Sequence, residues 1–538
     1  MSGTVEGATA PSGTTAGVPT TPGPLSHRQV LIVFSGLMAG LLLAALDQTI
    51  VATALPTIVG ELGGLDHYSW VVTAYLLSST VSTPLYGKIS DIYGRKAVFQ
   101  TAILIFLAGS LLAGLAQTMV QLILCRGLQG AGAGGLMAMS FAVVGDVVSP
   151  RERGRYTGYL GSVFAFASVV GPLVGGFIVD HVSWRWVFLI NLPVGATALV
   201  VTSRVLKLTV VRRSARIDVE GAFLLVVGVS CLLLALVWGG TEYPWGSGVI
   251  VGLGLTGVVL TLAFIAWESR VAEPMLPLRL FRNPIFSVSS GLGFLIGGGM
   301  FGGIIFLPLF LQVVTGASAT NSGLLMLPLM GGLMTTSITS GRIISRTGRY
   351  KVWPVTGMAV AAAGMFLLSL MDADTTRLES SVFMLVFGLG IGMVLPVLVL
   401  VVQNAVPYAD LGVATSAATF FRTMGGSFGV AVFGAILNTR MAEEMPRLVP
   451  AAALAMAGGR TSQLLSSPAQ IRLLPPAVMN GIIEALARSI HSVFLWAIPL
   501  LLVGFALSWF LDEIPLRETV DAGSLSPGST PQPSVPVA

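Results

Sequence analysis

The sequence predicts an all-α integral membrane protein with fourteen transmembrane helices. Of its 538 residues, 54% are hydrophobic and only 10% are charged, whereas soluble domains carry about 25% charged residues. Apolar runs of about 20 residues, the length at which a helix crosses a bilayer, recur along nearly the whole chain. The runs are continuous rather than alternating, so they favour helices over the strands of a membrane barrel.

Fourteen such runs define the predicted helices, and several contain Gly or Pro. Membrane bundles tolerate these residues because neighbouring helices and polar side chains satisfy the freed backbone groups. The predicted spans are 30–55, 67–87, 97–116, 119–145, 155–179, 186–207, 218–238, 248–267, 284–312, 321–342, 352–371, 379–403, 411–437 and 490–511.

Two related segments indicate an internal repeat. "GKISDIYGRK" lies between the second and third spans, and "GRIISRTGRYK" lies between the tenth and eleventh. Equivalent positions in two halves are typical of a parallel repeat, so we predict two six-helix bundles, with the seventh and eighth helices as an inserted pair. The predicted domains are a disordered N-terminal tail at 1–26, an N-terminal bundle at 27–208, the inserted pair at 209–283, a C-terminal bundle at 284–511 and a disordered C-terminal tail at 512–538.

One segment of the C-terminal bundle, residues 438–489, is too polar and too rich in Pro to span a membrane. We predict either a cap or a disordered excursion on the outer side.

The distribution of basic residues predicts the orientation. Most of the 29 Lys and Arg residues fall in segments on the same side as the two termini, and positive residues mark the cytoplasmic side. We therefore expect a multi-pass protein of the cytoplasmic membrane with both termini in the cytoplasm. The net charge of +5 belongs to this topology, so we expect contact with the lipid bilayer and none with nucleic acid. Residues 1–26 do not have the pattern of a signal peptide.

The first intramembrane charge is Asp47, in "LDQTIVATALP" near the middle of the first span. An acid at this depth costs about 2.5–3.5 kcal/mol on insertion scales, so it usually has a task. Burial disfavours the charged form of a carboxyl group, so such a group can load and release a proton. The alternative is a static salt bridge or a buried, hydrogen-bonded carboxyl group.

Two arginines are also embedded: Arg126 in "LILCRGLQGAGAGG" and Arg422 in "FFRTMGGSFG". A guanidinium keeps its proton, so each needs a counter-charge or water. We predict that Arg126 holds Asp47 ionised until a proton or substrate competes, and that Asp47 is shared or alternately paired with Arg422. The alternative for Arg126 is a purely structural ion pair.

A conformational latch is predicted in "GKISDIYGRK". Gly87 and Gly94 would turn the chain tightly between two helices, with Asp91, Arg95 and Lys96 on the turn. The basic residues alone fit anchoring on the positive side of the membrane. The lone acid does not, so we predict that it latches onto a helix N-terminus or an arginine.

The fifth span is predicted to be thin and bent, because Gly171, Pro172, Gly175 and Gly176 follow closely on one another. Small residues allow close approach of helices, and proline removes a backbone hydrogen bond. This pattern indicates either a gating element or plain tight packing.

No cofactor or metal is expected. "GLGLTG" and "GAGAGG" match a dinucleotide pattern only by letter, since each lies inside an apolar run without a preceding strand. The chain has no phosphate-binding GxxxxGK[ST], and its four histidines are scattered. The expected energy source is a proton gradient, and the expected protein is not an enzyme.

Together these motifs resemble the major facilitator superfamily, in particular its fourteen-helix drug:proton antiporter branch. "LDQTIVATALP" is similar to that branch's first-helix signature, "GKISDIYGRK" to the loop between helices 2 and 3, and "RGLQGAG" to the proton-coupling motif of helix 4. "GPLVGG" is similar to the antiport motif of helix 5, and "WRWVFLINLPVG" to the helix 6 signature of the branch.

The resemblance implies a monomer that works by alternating access and exports hydrophobic small molecules, neutral or singly positive, in exchange for protons. Asp47 would carry the proton, Arg126 would tune it, Arg422 would contribute from the other bundle, and Asp91 with Arg95 would latch one face. The last six spans contain no embedded carboxylate, which argues against divalent cations as cargo. Two alternatives stay open: export of a lipid or an endogenous metabolite such as an antibiotic, and a membrane sensor or scaffold without transport.

Overall fold

The structure is a computed structural model that describes residues 27–62, 68–148, 150–205, 218–240, 242–271, 274–317, 319–372, 375–407, 410–450 and 474–516. Regular structure within these ranges is helical, and no strand occurs in them. The predicted all-helical fold is therefore confirmed.

The first half of the chain forms seven helices in the described ranges. They are α1 (His27–Leu62), α2 (Tyr68–Tyr93), α3 (Arg95–Gly114), α4 (Met119–Val147), α5 (Pro150–His181), α6 (Trp186–Leu189) and α7 (Asn191–Val205). The predicted sixth span is thus divided into α6 and α7, with a break at Ile190.

The inserted pair and the second half supply nine more helices in the described part. They are α8 (Val219–Trp238), α9 (Gly248–Glu268), α10 (Pro284–Leu309), α11 (Ala319–Leu325), α12 (Leu327–Thr347), α13 (Val352–Ser369), α14 (Arg377–Ala405), α15 (Leu411–Leu448) and α16 (Pro476–Ser508). A short 3-10 helix at Leu278–Arg282 precedes α10, and a π-helical turn at Phe310–Val314 follows it.

Eleven helices in the described ranges are long and apolar enough to cross a membrane, so the multi-pass membrane character is confirmed. Three further long helices, α2, α5 and α12, coincide with predicted spans. Because they fall outside those eleven, the count of fourteen spans stays a prediction.

Helix ends follow local sequence signals. Thr118 caps α4 by accepting the N–H of Gln121, and Thr376 and Glu379 form a capping box at α14. These contacts satisfy backbone N–H groups that have no partner within the helix. The turns after α2 and α12 contain Gly94 (φ 91°) and Gly348 (φ 72°), and glycine adopts this positive φ without a Cβ clash.

Hydrophobic clusters divide the long helices into two groups. Two large clusters join mainly residues of α1–α7, one of them together with Val399 of α14, and a third joins residues of α10–α16. A mixed cluster brings together Val81 of α2, Leu225 of α8, Val402 of α14 and Val413 of α15. The inserted helix α8 therefore packs against helices from both groups.

The face of the molecule where α2 ends and α3 begins is called the latch face below. Several contacts between the two groups lie there: Gln403 of α14 donates to the Phe141 carbonyl of α4 at 2.9 Å. A Cβ at Gly145 would come within 2.3 Å of Leu411. The glycine thus lets the end of α4 meet the start of α15.

The predicted outer segment 438–489 differs from expectation at its flanks. The helix α15 continues to Leu448 and α16 begins at Pro476, so each flank is a helical extension rather than a loop. Ion pairs at spacings of three and four residues, such as Arg488 with Glu484 at 2.8 Å, support exposed helices of this kind. Residues 451–473 lie outside the described residues, and so does the predicted N-terminal tail 1–26.

The predicted disorder of the C-terminal tail is wrong for its first residues. Glu513 accepts the N–H of Tyr350 at 2.8 Å, and the Tyr350 hydroxyl donates to the Asp512 carbonyl at 2.9 Å. Burial raises the pKa of the Tyr350 phenol, so it stays a neutral donor and acceptor. Residues 512–516 are therefore docked on the turn after α12, and residues 517–538 lie outside the described residues.

Candidate functional site

The predicted intramembrane charges Asp47 and Arg126 lie together. Arg126 Nη1 of α4 is 2.5 Å from Asp47 Oδ2 of α1. The side chain of Asp47 is 0% exposed and that of Arg126 is 2% exposed. The pair is therefore sealed from solvent, where an ion pair needs further hydrogen bonds to offset the cost of desolvation.

Two amide side chains supply those hydrogen bonds. Gln129 Nε2 donates to Asp47 Oδ1 at 2.7 Å, and Asn191 Nδ2 donates to the same oxygen at 2.9 Å. Gln129 lies three residues after Arg126, so the two share one face of α4. Asn191 begins α7, immediately after the break in the sixth span. Helices α1, α4 and α7 thus meet at one carboxylate.

The orientation of each amide is fixed by a further partner. Arg126 Nη1 donates to Gln129 Oε1 at 2.7 Å, which turns the amide N–H groups of Gln129 toward Asp47. Ser110 of α3 donates its hydroxyl to the Phe188 carbonyl at 2.8 Å, and its oxygen accepts from Gln129 and Asn191 at 3.1 and 2.9 Å. Each of these contacts to Asp47 therefore comes from an N–H donor.

Aromatic rings enclose the guanidinium. Arg126 Cζ lies 4.1 Å from the ring centre of Tyr75 and 5.9 Å from that of Phe188. The Tyr75 hydroxyl donates to the Ala44 carbonyl at 3.2 Å, one turn before Asp47. Cation–π contacts of this kind stabilise a desolvated cation, and they hold α2 close to the ion pair.

The other face of α1 packs on the predicted antiport helix, α5. A Cβ at Gly171 would lie 1.9 Å from Thr49 Oγ1, and a Cβ at Gly175 would lie 2.7 Å from Thr53 Oγ1. The two glycines therefore let α1 and α5 approach closely. Pro172 and Gly176 lie in the same uninterrupted stretch of α5.

The predicted latch residues form an ion-pair network on the latch face. Arg95 Nη1 is 2.7 Å from Asp91 Oδ1, and Arg95 Nε is 2.8 Å from Asp146 Oδ2 at the end of α4. A Cβ at Gly412, in the first turn of α15, would lie 2.3 Å from Asp91 Oδ1 and from Arg95 Nη1. The network of the first half thus touches the second half directly.

Of the three remaining residues of the predicted turn, only Gly94 lies at the turn. Gly87 is not a turn residue, because α2 continues to Tyr93; a Cβ there would lie 2.6 Å from Ser416 of α15. Gly94 alone makes the turn. Lys96 donates to the Ser203 carbonyl of α7 at 2.6 Å, so it binds the end of the sixth span and not the latch network.

The structure does not bring Arg422 to Asp47. Arg422 lies on α15, and its Cζ is 5.4 Å from the ring centre of Phe141 of α4. Among the described residues, no carboxylate lies within 4.0 Å of its guanidinium. The predicted sharing of one acid between two arginines is therefore absent from this conformation.

Sequence reasoning missed four residues that complete these sites: Gln129, Asn191, Ser110 and Asp146. The first two stand inside motifs already noted, "RGLQGAG" and "WRWVFLINLPVG". The spacing of Gln129 from Arg126 was a usable signal, since residues three apart share a helix face. Ser110 gave no signal in the sequence, because a lone serine in an apolar run is common. Asp146 did offer a signal, because it is an acid at the end of a predicted span, beside a basic segment.

The helices and the sealed ion pair define a class: a multi-pass α-helical membrane protein with an ionisable site inside its transmembrane region. The chain matches the Major Facilitator Superfamily over residues 37–430, and it belongs to that superfamily. It is therefore a membrane transporter and not an enzyme, which confirms the resemblance seen in the sequence.

Similar proteins agree with this assignment. The uncharacterized MFS-type transporter Rv1877 of Mycobacterium tuberculosis is 43% identical over 97% of this chain and 74% of its own length. The multidrug transporter protein MdtP of Bacillus subtilis is 40% identical over 92% of this chain and 95% of its own. The solved proton:xylose symporter XylE shares the fold, with a TM-score of 0.58 at 14% identity over 92% of this chain and 99% of its own.

Proposed function

We propose that this transporter exports hydrophobic small molecules across the cytoplasmic membrane in exchange for protons, by alternating access, as a monomer with both termini in the cytoplasm. The observation that carries the proposal is the sealed carboxylate of Asp47, which is held by Arg126 and two amides in the transmembrane region. A relative named as a multidrug transporter supports the class of cargo.

The donor pattern around Asp47 gives the coupling step. The groups that contact Asp47, from Arg126, Gln129 and Asn191, are all N–H donors, and both carboxylate oxygens act as acceptors. A protonated carboxyl group brings a hydrogen of its own, and that hydrogen would face N–H groups instead of an acceptor. Protonation of Asp47 therefore disrupts these hydrogen bonds and weakens the attachment of α1 to α4 and α7.

Contacts between packed helices connect α1 to the second half of the chain. The helix α1 rests on α5 through Gly171 and Gly175, and a Cβ at Gly158 of α5 would lie 2.7 Å from the Ser337 carbonyl of α12. A shift of α1 is thus passed through α5 to the second half. The ion pairs of Arg95 with Asp91 and Asp146 close the latch face until that shift occurs.

The test is Asp47→Asn in membrane vesicles loaded with a fluorescent hydrophobic dye. The amide keeps the shape of the side chain but cannot load a proton, so proton-driven dye transport should fall at least tenfold, and dye-induced proton release should disappear. The control is Glu220→Gln, which removes an exposed acid at the start of α8. Transport at the wild-type rate by Asp47→Asn under a proton gradient would refute the coupling mechanism.

A further inference from the structure

Arg422 is an embedded cation for which the described part of the chain supplies no counter-charge. It lies on α15 and keeps part of its surface accessible. In the described ranges, neither a carboxylate nor any hydrogen-bond acceptor contacts its guanidinium, which lies against the ring face of Phe141. A guanidinium offers five N–H donors and cannot become neutral, so a permanent charge at this depth needs an anionic partner or water.

No acid of the described helices is placed to pair with Arg422. Asp47 is already bound by Arg126, Gln129 and Asn191. The other acids of the described helices lie within three turns of a helix end. Among the described residues, Arg422 is therefore an embedded arginine without a carboxylate partner.

The position of Arg422 suits a ligand between the two halves. Leu411 and Thr415 lie on the same face of α15, and they contact α4 and α14 at the latch face. Arg422 follows Thr415 by seven residues, so it points the same way two turns farther from that closure. Arg422 therefore lies at the interface between the two halves, just beyond the residues that contact each other at the latch face.

The ring of Phe141 lies against the guanidinium, and further apolar residues lie along α10 and α15. Gly293 of α10 faces its Cβ, with ordinary contact at 3.8 Å for an added methyl group. The next residue, Phe294, pairs with Phe428 of α15 with 5.7 Å between ring centres. Together with Phe141, these half-buried and buried rings offer contact area for the body of a hydrophobic molecule.

We propose that Arg422 binds the acidic head group of an amphiphilic anion, a carboxylate or a sulfonate, whose apolar body lies on Phe141, Phe294 and Phe428. The planar guanidinium matches such groups with two parallel hydrogen bonds. This inference rests on the proposed export of hydrophobic molecules and narrows it. It replaces the expected neutral or singly positive cargo, because an arginine without a counter-charge repels a cation and binds a neutral head group more weakly than an anionic one.

The test uses three pyrene probes with one body and different heads: pyrenebutyrate, pyrenebutanol and pyrenebutyl-trimethylammonium. Binding to the full-length protein is measured by equilibrium dialysis in nanodiscs of zwitterionic lipid, with empty nanodiscs subtracted. Wild type should bind pyrenebutyrate most tightly. Arg422→Gln should weaken that binding about tenfold or more, the usual worth of a charged hydrogen bond, and leave pyrenebutanol unchanged.

Two variants serve as matched comparisons. Arg422→Lys keeps the charge and should retain pyrenebutyrate binding within about threefold, since a lysine still attracts the anion but lacks the fork of donors. Arg342→Gln removes an exposed arginine of α12 and should leave all three probes at wild-type affinity. Equal loss of pyrenebutyrate and pyrenebutanol in Arg422→Gln would overturn the proposal, and so would tightest binding of the cationic probe.

The same chemistry can come from a lipid head group. Adding phosphatidylglycerol to the nanodiscs distinguishes the sources: if the lipid occupies Arg422, pyrenebutyrate binding to wild type falls to the level of Arg422→Gln. If a soluble amphiphile is the cargo, the affinity holds. Either result supports an anion site. No proton gradient is applied in this experiment, so it can succeed or fail independently of the proton-coupling test on Asp47.

Discussion

The coupling free energy between Asp47 and Arg126 can be predicted from their environment. Removing one partner of a buried ion pair costs about 3–5 kcal/mol, because the remaining charge stays buried without its partner. For Arg126→Met we expect the lower end of that range, since Asp47 keeps its hydrogen bonds from Gln129 and Asn191. Asp47→Asn should cost a similar amount, because the Arg126 charge stays in place.

The double variant tests the physical reason. With both charges removed, no unpaired ion remains, so Asp47→Asn combined with Arg126→Met should be less destabilising than the sum of the single changes by about 2–3 kcal/mol. The assay is equilibrium unfolding in mixed detergent micelles, followed by loss of helical circular dichroism.

The chain offers a matched control pair. Arg488 and Glu484 lie 2.8 Å apart, but their side chains are 55% and 40% exposed. Exposed pairs of this kind are worth about 0.2–1 kcal/mol. The same double-variant experiment on this pair should give a coupling free energy in that range. If the buried pair gives no more than the exposed pair, burial does not strengthen it, and the reasoning about Asp47 fails.

Two further predictions concern packing and the latch. Gly134→Ala should lower the free energy of unfolding by about 1–3 kcal/mol, because its Cβ would lie 2.3 Å from the Ser79 carbonyl. Gly127→Ala, with open space around the added methyl, should be neutral or slightly stabilising in the same unfolding assay; equal effects would contradict the packing argument. Arg95→Gln should speed hydrogen exchange in the first turn of α15, since both ion pairs of that side chain are lost. Arg349→Gln is its control at the equivalent place in the second half, and a similar change in both variants would speak against a latch.

The fold was largely predictable from the sequence, since each apolar run needs only local information. The division of the sixth span at Ile190 was not, and neither were the helical flanks of the 438–489 segment. Polar composition marked that segment as unable to span a membrane. It did not show whether a polar helix continues beyond the membrane.

Only the charged residues of the site could be predicted from the sequence. An embedded acid and an embedded arginine each need a partner, which led to Asp47 and Arg126. Uncharged polar residues give no such signal, so Ser110 and Asn191 emerged only when α3 and α7 were placed beside α1. The expected sharing of Asp47 with Arg422 required a distance between the halves, and a single sequence holds no distances.

The docked segment after α16 has a consequence for biosynthesis. Residues 512–516 are the last of the described chain to leave the ribosome, yet they supply acceptors for the backbone N–H groups of Tyr350 and Lys351 made long before. The hydrogen bonds of the turn after α12 are therefore completed only once Glu513 has been synthesised. A chain that ends before Glu513 leaves those two N–H groups without this acceptor.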